Sequence, residues 1–394
     1  MCDVPALRFP EFIKSWECSI LEKLSKKIGD GIHSTPSYDD NGTFYFINGN
    51  NLNGGKIVIT SSTKRVSEKE AYKNNAENLE ANSILMSING TIGNVALYHN
   101  EPIMLGKSAC YINSKDNIDK NYLFYYLQYP KTQLYFEAEL TGTTIKNLSL
   151  QSIRKTKIYI PTIEEQHKIS RFLQKIDERI STQNKIIEKL ETLIKGIVDS
   201  IFTANEFPKV PFKEIYVRAG EGGTPATSNP EYYDNGTIPF IKIDDLQNKY
   251  IKTNKDCITE LGLQKSSAWI VPANSIIYSN GATIGAISIN LFPVCTKQGI
   301  LGVVPKADIN VEFLYYFMTS TAFTKAVERI VTEGTMRTAY LKDINHIPCP
   351  VPCSVKQDEI AKLLSTLSEK LENEVIFQMK LQKQKEFLLS QMFI

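Results

Sequence analysis

The chain has 394 residues, 42% hydrophobic and 22% charged, with a formal net charge of +2. That composition excludes an intrinsically disordered protein, and the length suits two or three domains. The modest charge excludes the strong basic surplus of a protein that binds nucleic acid unaided, so either the basic residues share one face or a partner supplies much of the phosphate contact. The opening "MCDVPALRFPEFIKSW" carries charge where a signal peptide needs an apolar core. No apolar run reaches the roughly 18 to 20 residues that span a bilayer, so a cytoplasmic protein without a membrane partner is expected. Seven cysteines without Cys-x-x-Cys spacing point to reduced thiols. His346, Cys349 and Cys353 lack a fourth ligand and zinc spacing, and no metal site is expected.

In chain order, residues 1–161 read as short strands, "FYFIN", "KIVIT", "SILMSI" and "NVALY", broken by Asn-Gly and Gly-Gly turns, with a buried helix at "YLFYYLQ" (Tyr122 to Gln128). Residues 162–206 change character. Ile169, Ile176, Leu190 and Ile197 form one seven-residue series, and Leu173, Ile180, Ile187, Ile194 and Ile201 another, with polar Gln183 interrupting the first. Offsets of four and three make these the a/d seam of a coiled coil. About 40 residues at roughly 1.5 Å each predict a rod of about 60 Å. Thr162 and Glu165 read as a capping box at its start, and Gly196 suggests a close approach inside it. Residues 207–352 return to strands ("IPFIKI", "SIIYS") and a second buried aromatic helix, "FLYYFMT" (Phe313 to Thr319). Residues 353–394 are a second rod: Ile360, Leu367, Leu381 and Leu388 with Leu364, Leu371 and Met392, the seam weakened by Glu374, Gln378 and Lys385. Ser354 and Gln357 repeat the capping-box signature.

The halves share more than this alternation. "SINGTIGNVA" (Ser87 to Ala96) returns as "SNGATIGAIS" (Ser279 to Ser288), and "STPSYDDNGTFYFINGNNL" as "GTPATSNPEYYDNGTIPFIKIDDL". Lys107 in "LGKSACYI" is answered by Lys297 in "CTKQGILGV", and "TGTTIKNLSLQSI" by "TEGTMRTAYLKDI". One order of blocks in both halves marks an internal duplication.

Motifs for catalysis fail on inspection. "GKS" at Gly106 to Ser108 would need glycine at position 101 to form a phosphate-binding loop, and that position is Glu101. "NPEY" (Asn229 to Tyr232) lacks the second proline of an amino-methyltransferase signature and has no glycine-rich cofactor motif before it. The four histidines stand in unrelated contexts. What the duplication keeps is Gly, Thr, Asn, Lys and Tyr, so no catalytic residue and no cofactor are expected. Asn and Gln can pair with adenine, Lys and Arg with guanine, and glycine turns offer backbone N–H groups to phosphates.

This order of blocks resembles the specificity subunit of a type I restriction-modification system. "GTP" early in a domain, "NG-x-x-IG" at its middle and "IP-x-x-EEQ-x-x-I" leading into the helix carry the resemblance, which covers essentially the whole chain; "HSTP" in the first copy and "VPCSVKQDEI" in the second depart from it. It implies an α+β fold: two similar, mostly-β target-recognition domains (1–161 and 207–352) separated by two long helices (162–206 and 353–394) packed as an antiparallel coiled coil. It further implies that each domain reads one half of a bipartite site in double-stranded DNA, while two methylation subunits and the restriction subunits perform the chemistry. The residues expected to touch DNA in the first domain are His33, Ser34, Thr35, Asn48, Asn50, Asn51, Ser87, Asn89, Thr91, Lys107, Thr144 and Lys146. In the second they are Gly223, Thr224, Lys242, Asp244, Asp245, Ser279, Asn280, Thr283, Lys297, Gln298, Thr335 and Arg337. The alternative is a duplicated coiled-coil adaptor that binds no DNA.

Overall fold

A computed structural model describes residues 4–74, 76–142, 146–204, 206–281, 283–331 and 337–394. The first half runs β1 (Ser25–Asp30), β2 (Ser83–Ser87), β3 (Val95–Leu97), β4 (Ala109–Ser114), α1 (Lys120–Leu127) and the long helix α2 (Ile163–Thr203). The second repeats the order as β5 (Tyr216–Glu221), β6 (Ser275–Ser279), β7 (Ile287–Asn290), β8 (Ile300–Pro305), α3 (Val311–Thr319) and the long helix α4 (Ser354–Met392). Shorter strands, turns and further helices, among them Pro130–Ala138 and Thr321–Ile330, fill the intervals. No helix among the described residues is long and apolar enough to cross a membrane.

The chain forms two compact units, one from the residues up to Asn184 with Phe377–Ile394, the other from Lys185–Ile376. Each unit therefore holds one end of α2 and the opposite end of α4. In the first, Ile169, Leu173 and Ile176 share a core with Leu388, Leu389 and Met392; in the second, Val198 and Phe202 share one with Ile360, Ala361 and Leu364. In each unit, then, the two long helices contribute opposite ends to one core.

In the first unit the antiparallel sheet has the order β1-β4-β2-β3, with Ile112 opposite both Ile84 and Ile28. Successive side chains of a strand point to opposite faces, and both faces of β2 are covered. Ile84 and Met86 join Trp16, Tyr122 and the helix ends, whereas Leu85 joins Ile47, Leu52 and Ile103 in a second cluster. This explains why "SILMS" is apolar without alternation. The second unit repeats the scheme, β5-β8-β6-β7, and adds Tyr250–Ile251 parallel to β7 at its edge. Ile276 and Tyr278 face the helices while Ile277 packs with Ile241, Val271 and Ile300. The aromatic blocks become α1 and α3, capped by Asp119 on the Asn121 N–H (3.0 Å) and by Asn310 on the Glu312 N–H (2.9 Å), with their tyrosines and phenylalanines largely buried.

Two details correct the expectations at the rods. Thr162 caps α2 through the Glu165 N–H (3.4 Å), but the Glu165 carboxylate does not return to Thr162: it takes Arg8 (2.7 and 2.8 Å) and the Trp16 indole (3.3 Å). Ser354 is already inside α4, whose first carbonyl acceptor is Cys353, so there is no capping box there either. A buried tertiary partner outcompetes the local bond in the first case, since an unpaired buried acid would cost several kcal/mol. Gly196 meets no close approach, because a Cβ built on it finds nothing within 4 Å.

The residues that do repeat are Gln166 and Gln357, both buried. Gln166 donates to the Pro161 carbonyl (3.0 Å) and accepts from the Asp119 N–H (3.1 Å). Gln357 donates to the Pro352 (3.0 Å) and Asp308 (3.2 Å) carbonyls and accepts from the Asn310 N–H (2.9 Å). Each ties the start of a long helix to the cap of the aromatic helix.

Candidate nucleic-acid interface

Three polar turns lie side by side at one end of each sheet. The first links β2 to β3 and β6 to β7. Ser87 N–H donates to the Asn94 carbonyl (2.8 Å) and Gly93 N–H to Ser87 (2.9 Å); Ser279 and Gly285 make the same two bonds with Ala286 and Ser279 (2.8 and 3.0 Å). The second is a helical turn closed by its own side chain, Asn51 accepting from the Asn48 N–H (3.0 Å) and Asp245 from the Lys242 N–H (2.8 Å). The third precedes β4 and β8, closed by Ala109 N–H to the Gly106 carbonyl (3.0 Å) and Ile300 N–H to Lys297 (3.1 Å). Ile88 N–H reaches the Ser108 carbonyl (2.9 Å) and Leu148 N–H the Ile88 carbonyl (2.9 Å); Asn280, Gly299 and Ala339 repeat both bonds at 3.1 and 2.9 Å.

Glycine closes the frame from behind. A Cβ on Gly31 would fall 2.1 Å from the Leu105 carbonyl oxygen, and one on Gly222 1.8 Å from that of Thr296. Both glycines follow an acid, Asp30 and Glu221, which the DNA-facing expectations omitted. The "G-D-G" and "G-E-G" triplets ahead of the two "TP" pairs were the signal that could have found them.

Exposure sorts the expected residues. In the first unit His33, Ser34, Thr35, Asn50, Thr91, Lys107 and Lys146 are exposed, Asn48, Asn51 and Asn89 half-buried, and Ser87 buried. In the second Asp244, Thr283, Lys297, Gln298 and Arg337 are exposed, Thr224, Lys242 and Asp245 half-buried, and Gly223, Ser279 and Asn280 buried. Thr144 and Thr335 lie outside the described residues. Several of the inner side chains serve the turns. Ser87 Oγ lies 3.2 Å from Thr91 Oγ1, which also donates to the Gly49 carbonyl (3.0 Å), and Asn48 accepts from Ser108 (2.8 Å). A Cβ on Gly223 would collide with the Ala268 nitrogen at 2.4 Å, so this glycine packs against backbone. Asn280 donates to Glu221 (2.7 Å) and the Ala339 carbonyl (3.1 Å).

The structure brings His33, Asn89 and Lys107 together with Asp30 and Asn147 around a cavity of about 300 Å³, with the His33 ring 2.8 Å from Asp30. Thr283 and Arg337 line a separate cavity of about 290 Å³ in the second unit. The pairing of Lys107 with Lys297 is corrected by the hydrogen bonds. Gly106 N–H donates to Ile47 (2.8 Å) and Lys297 N–H to Ile241 (3.0 Å), so Lys297 stands where Gly106 does and Gln298 where Lys107 does. Sequence matching slipped by one residue because lysine attracted lysine; backbone register has no such bias.

Among the described residues no group of three or more His, Cys, Asp or Glu side chains converges as a metal site would require. Burial pushes the Cys110 thiol up to about 12 and the Cys295 thiol to about 11, which keeps both protonated and poorly nucleophilic.

The family described as "Type I restriction modification DNA specificity domain" matches residues 14–192 and 209–380. The chain is 29% identical over 191 residues to the "Type I restriction enzyme MjaIX specificity subunit" of Methanocaldococcus jannaschii, covering 46% of this chain and 44% of that protein. It is 25% identical over 304 residues to the "Putative type I restriction enzyme MjaX specificity subunit" of the same organism, covering 71% and 69%. The matched part thus spans less than half of the first relative and about two thirds of the second. The fold is similar to that of the "Type-I restriction-modification system S subunit from M. genitalium", with a TM-score of 0.58, 19% identity and 99% of each chain covered.

Proposed function

The chain belongs to the family of type I restriction-modification DNA specificity domains, two of which it carries, and from this we propose that it is the DNA-reading subunit of a type I restriction-modification complex. Each polar turn surface reads one half of a bipartite site in double-stranded DNA and directs adenine methylation and restriction by other subunits. The observation that supports this most is the duplicated frame with unlike exposed side chains: Asn50 against Asp244, Lys107 against Gln298, Lys146 against Arg337. A shared frame with different donors and acceptors is what two different half-sites require.

On this reading residues 1–161 and 207–352 are the reading modules, and 162–206 and 353–394 are the helices on which two methylation subunits dock. Restriction subunits join that assembly in the cytoplasm. This chain performs no chemistry and holds no cofactor; S-adenosylmethionine and ATP belong to its partners. A partner's share of the phosphate contacts accounts for a net charge of only +2.

The deciding experiment maps methylated adenines genome-wide in cells expressing this chain with its methylation subunit, against cells lacking it. A new two-part motif with a fixed gap is expected. An assembled complex that adds no motif would overturn the reading and favour the adaptor.

A further inference from the structure

We propose that the exposed residue of the third turn selects the base at one position of each half-site: Lys107 takes the guanine of a G·C pair, and Gln298 the adenine of an A·T pair. This rests on the DNA-reading assignment above and names the bases it implies.

The two side chains occupy one place on one frame. Each follows a residue whose N–H is anchored to the neighbouring strand (Gly106 on Ile47, Lys297 on Ile241) and precedes one whose carbonyl accepts from the adjoining turn (Ser108 from Ile88, Gly299 from Asn280). Both are exposed, while the polar groups beneath them are largely spent on the turns. Chemistry then separates the pair. A lysine ammonium only donates, and guanine offers two acceptors in the major groove, N7 and O6. Adenine offers an acceptor, N7, beside a donor, the N6 amine, which lysine cannot satisfy but a glutamine amide matches with both of its ends.

An acid stands beside each turn. In the first unit Asp30 lines the same 300 Å³ cavity as Lys107 and lies 2.8 Å from the His33 ring. In the second, Glu221 holds the Asn280 amide at 2.7 Å, so the two acids are alike and the choice of base rests on Lys107 and Gln298.

The test uses the full chain assembled with its methylation subunit and a pool of randomised DNA duplexes, sequencing the bound fraction. Wild type should select a bipartite motif. Lys107→Gln should change one G·C position to A·T in one half-site, by about tenfold or more in relative enrichment, and leave the other half-site alone. Gln298→Lys should do the reverse in the other half-site. Both changes are at exposed positions, and an unchanged melting temperature checks that the fold survives. A variant motif identical to wild type overturns the proposal. So does an even loss of binding across all duplexes, which marks a phosphate contact. A wild-type complex that selects no motif instead overturns the DNA-reading assignment, a distinguishable result.

Discussion

Gln166 and Gln357 show what a single side chain can hold. Gln357 satisfies three backbone groups, of Pro352, Asp308 and Asn310, in a place with almost no water. Each such group left unpaired costs roughly 1–3 kcal/mol, so Gln357→Ala should lower stability by about 2–4 kcal/mol after relaxation, measured by urea unfolding. Loss of less than half of one such cost would show that the helix start does not depend on it. At the surface the expectation is opposite in kind. Arg337→Ala and Lys146→Ala, both exposed, should leave stability unchanged yet weaken binding to the cognate duplex, by about 1–3 kcal/mol where the side chain meets a base. Unaltered affinity in a fluorescence titration removes that residue from the interface. Sequence reading reached the exposed residues Lys107, Gln298 and Arg337 through repetition, but grouped them with Ser87, Ser279 and Asn280, whose side chains are buried. Repetition marks what both copies need, and a turn needs its buried serine as much as a surface needs its lysine.

The elements between these residues carry two further expectations. Gly196 sits on the solvent side of α2 with open space where its Cβ would be, so Gly196→Ala should stabilise the isolated chain by about 1 kcal/mol through helix propensity. A fall in the midpoint of unfolding would reveal a contact that the fold does not show. In the second unit Lys249 joins the sheet edge to α3 and α4: its ammonium bonds Glu312 (3.1 Å) and Tyr316 (3.0 Å) on α3 and Ser365 (2.9 Å) on α4. Burial pushes the Glu312 carboxyl up, but hydrogen bonds from Ser365 and Tyr250 and the charge of Lys249 outweigh it and hold the group below its ordinary value. A carboxyl depressed in the folded state stabilises at pH above its unfolded value, about 4.3, and that contribution disappears as pH falls through the lower folded value. The second unit should therefore lose stability on acidification below about pH 4, and Glu312→Gln should flatten that slope while lowering stability at pH 7. An identical slope in the variant removes Glu312 from the acid response. The heptads predicted both rods because period is a local property of sequence. The Lys249 cluster was invisible because its members lie far apart along the chain.

At the scale of the whole molecule, each core draws on segments that lie far apart in the chain. The first unit draws its last core residues from Phe377–Ile394, on the far side of the second unit in the chain. Phe393 lies 5.5, 5.3 and 5.9 Å, centroid to centroid, from the rings of Tyr122, Tyr126 and Tyr129. Phe202, near the end of α2, lies 5.3 and 5.5 Å from Phe313 and Phe317 of the second unit. Either phenylalanine changed to alanine leaves a cavity worth about 3–5 kcal/mol. Because the two belong to separate clusters, their effects should fall on different units. The chain supplies its own reporters, since its two tryptophans are Trp16 in the first unit and Trp269 in the second. In a Trp269→Phe background, Phe393→Ala should shift the remaining fluorescence transition to lower urea and Phe202→Ala should leave it nearly in place. In a Trp16→Phe background the order should reverse. Equal shifts in both backgrounds would mean that the long helices bind the two cores into one cooperative block. On the DNA-reading role proposed above, a change in either turn surface would then be felt at both half-sites, and the independence that such a reader needs would have to come from the exposed side chains alone.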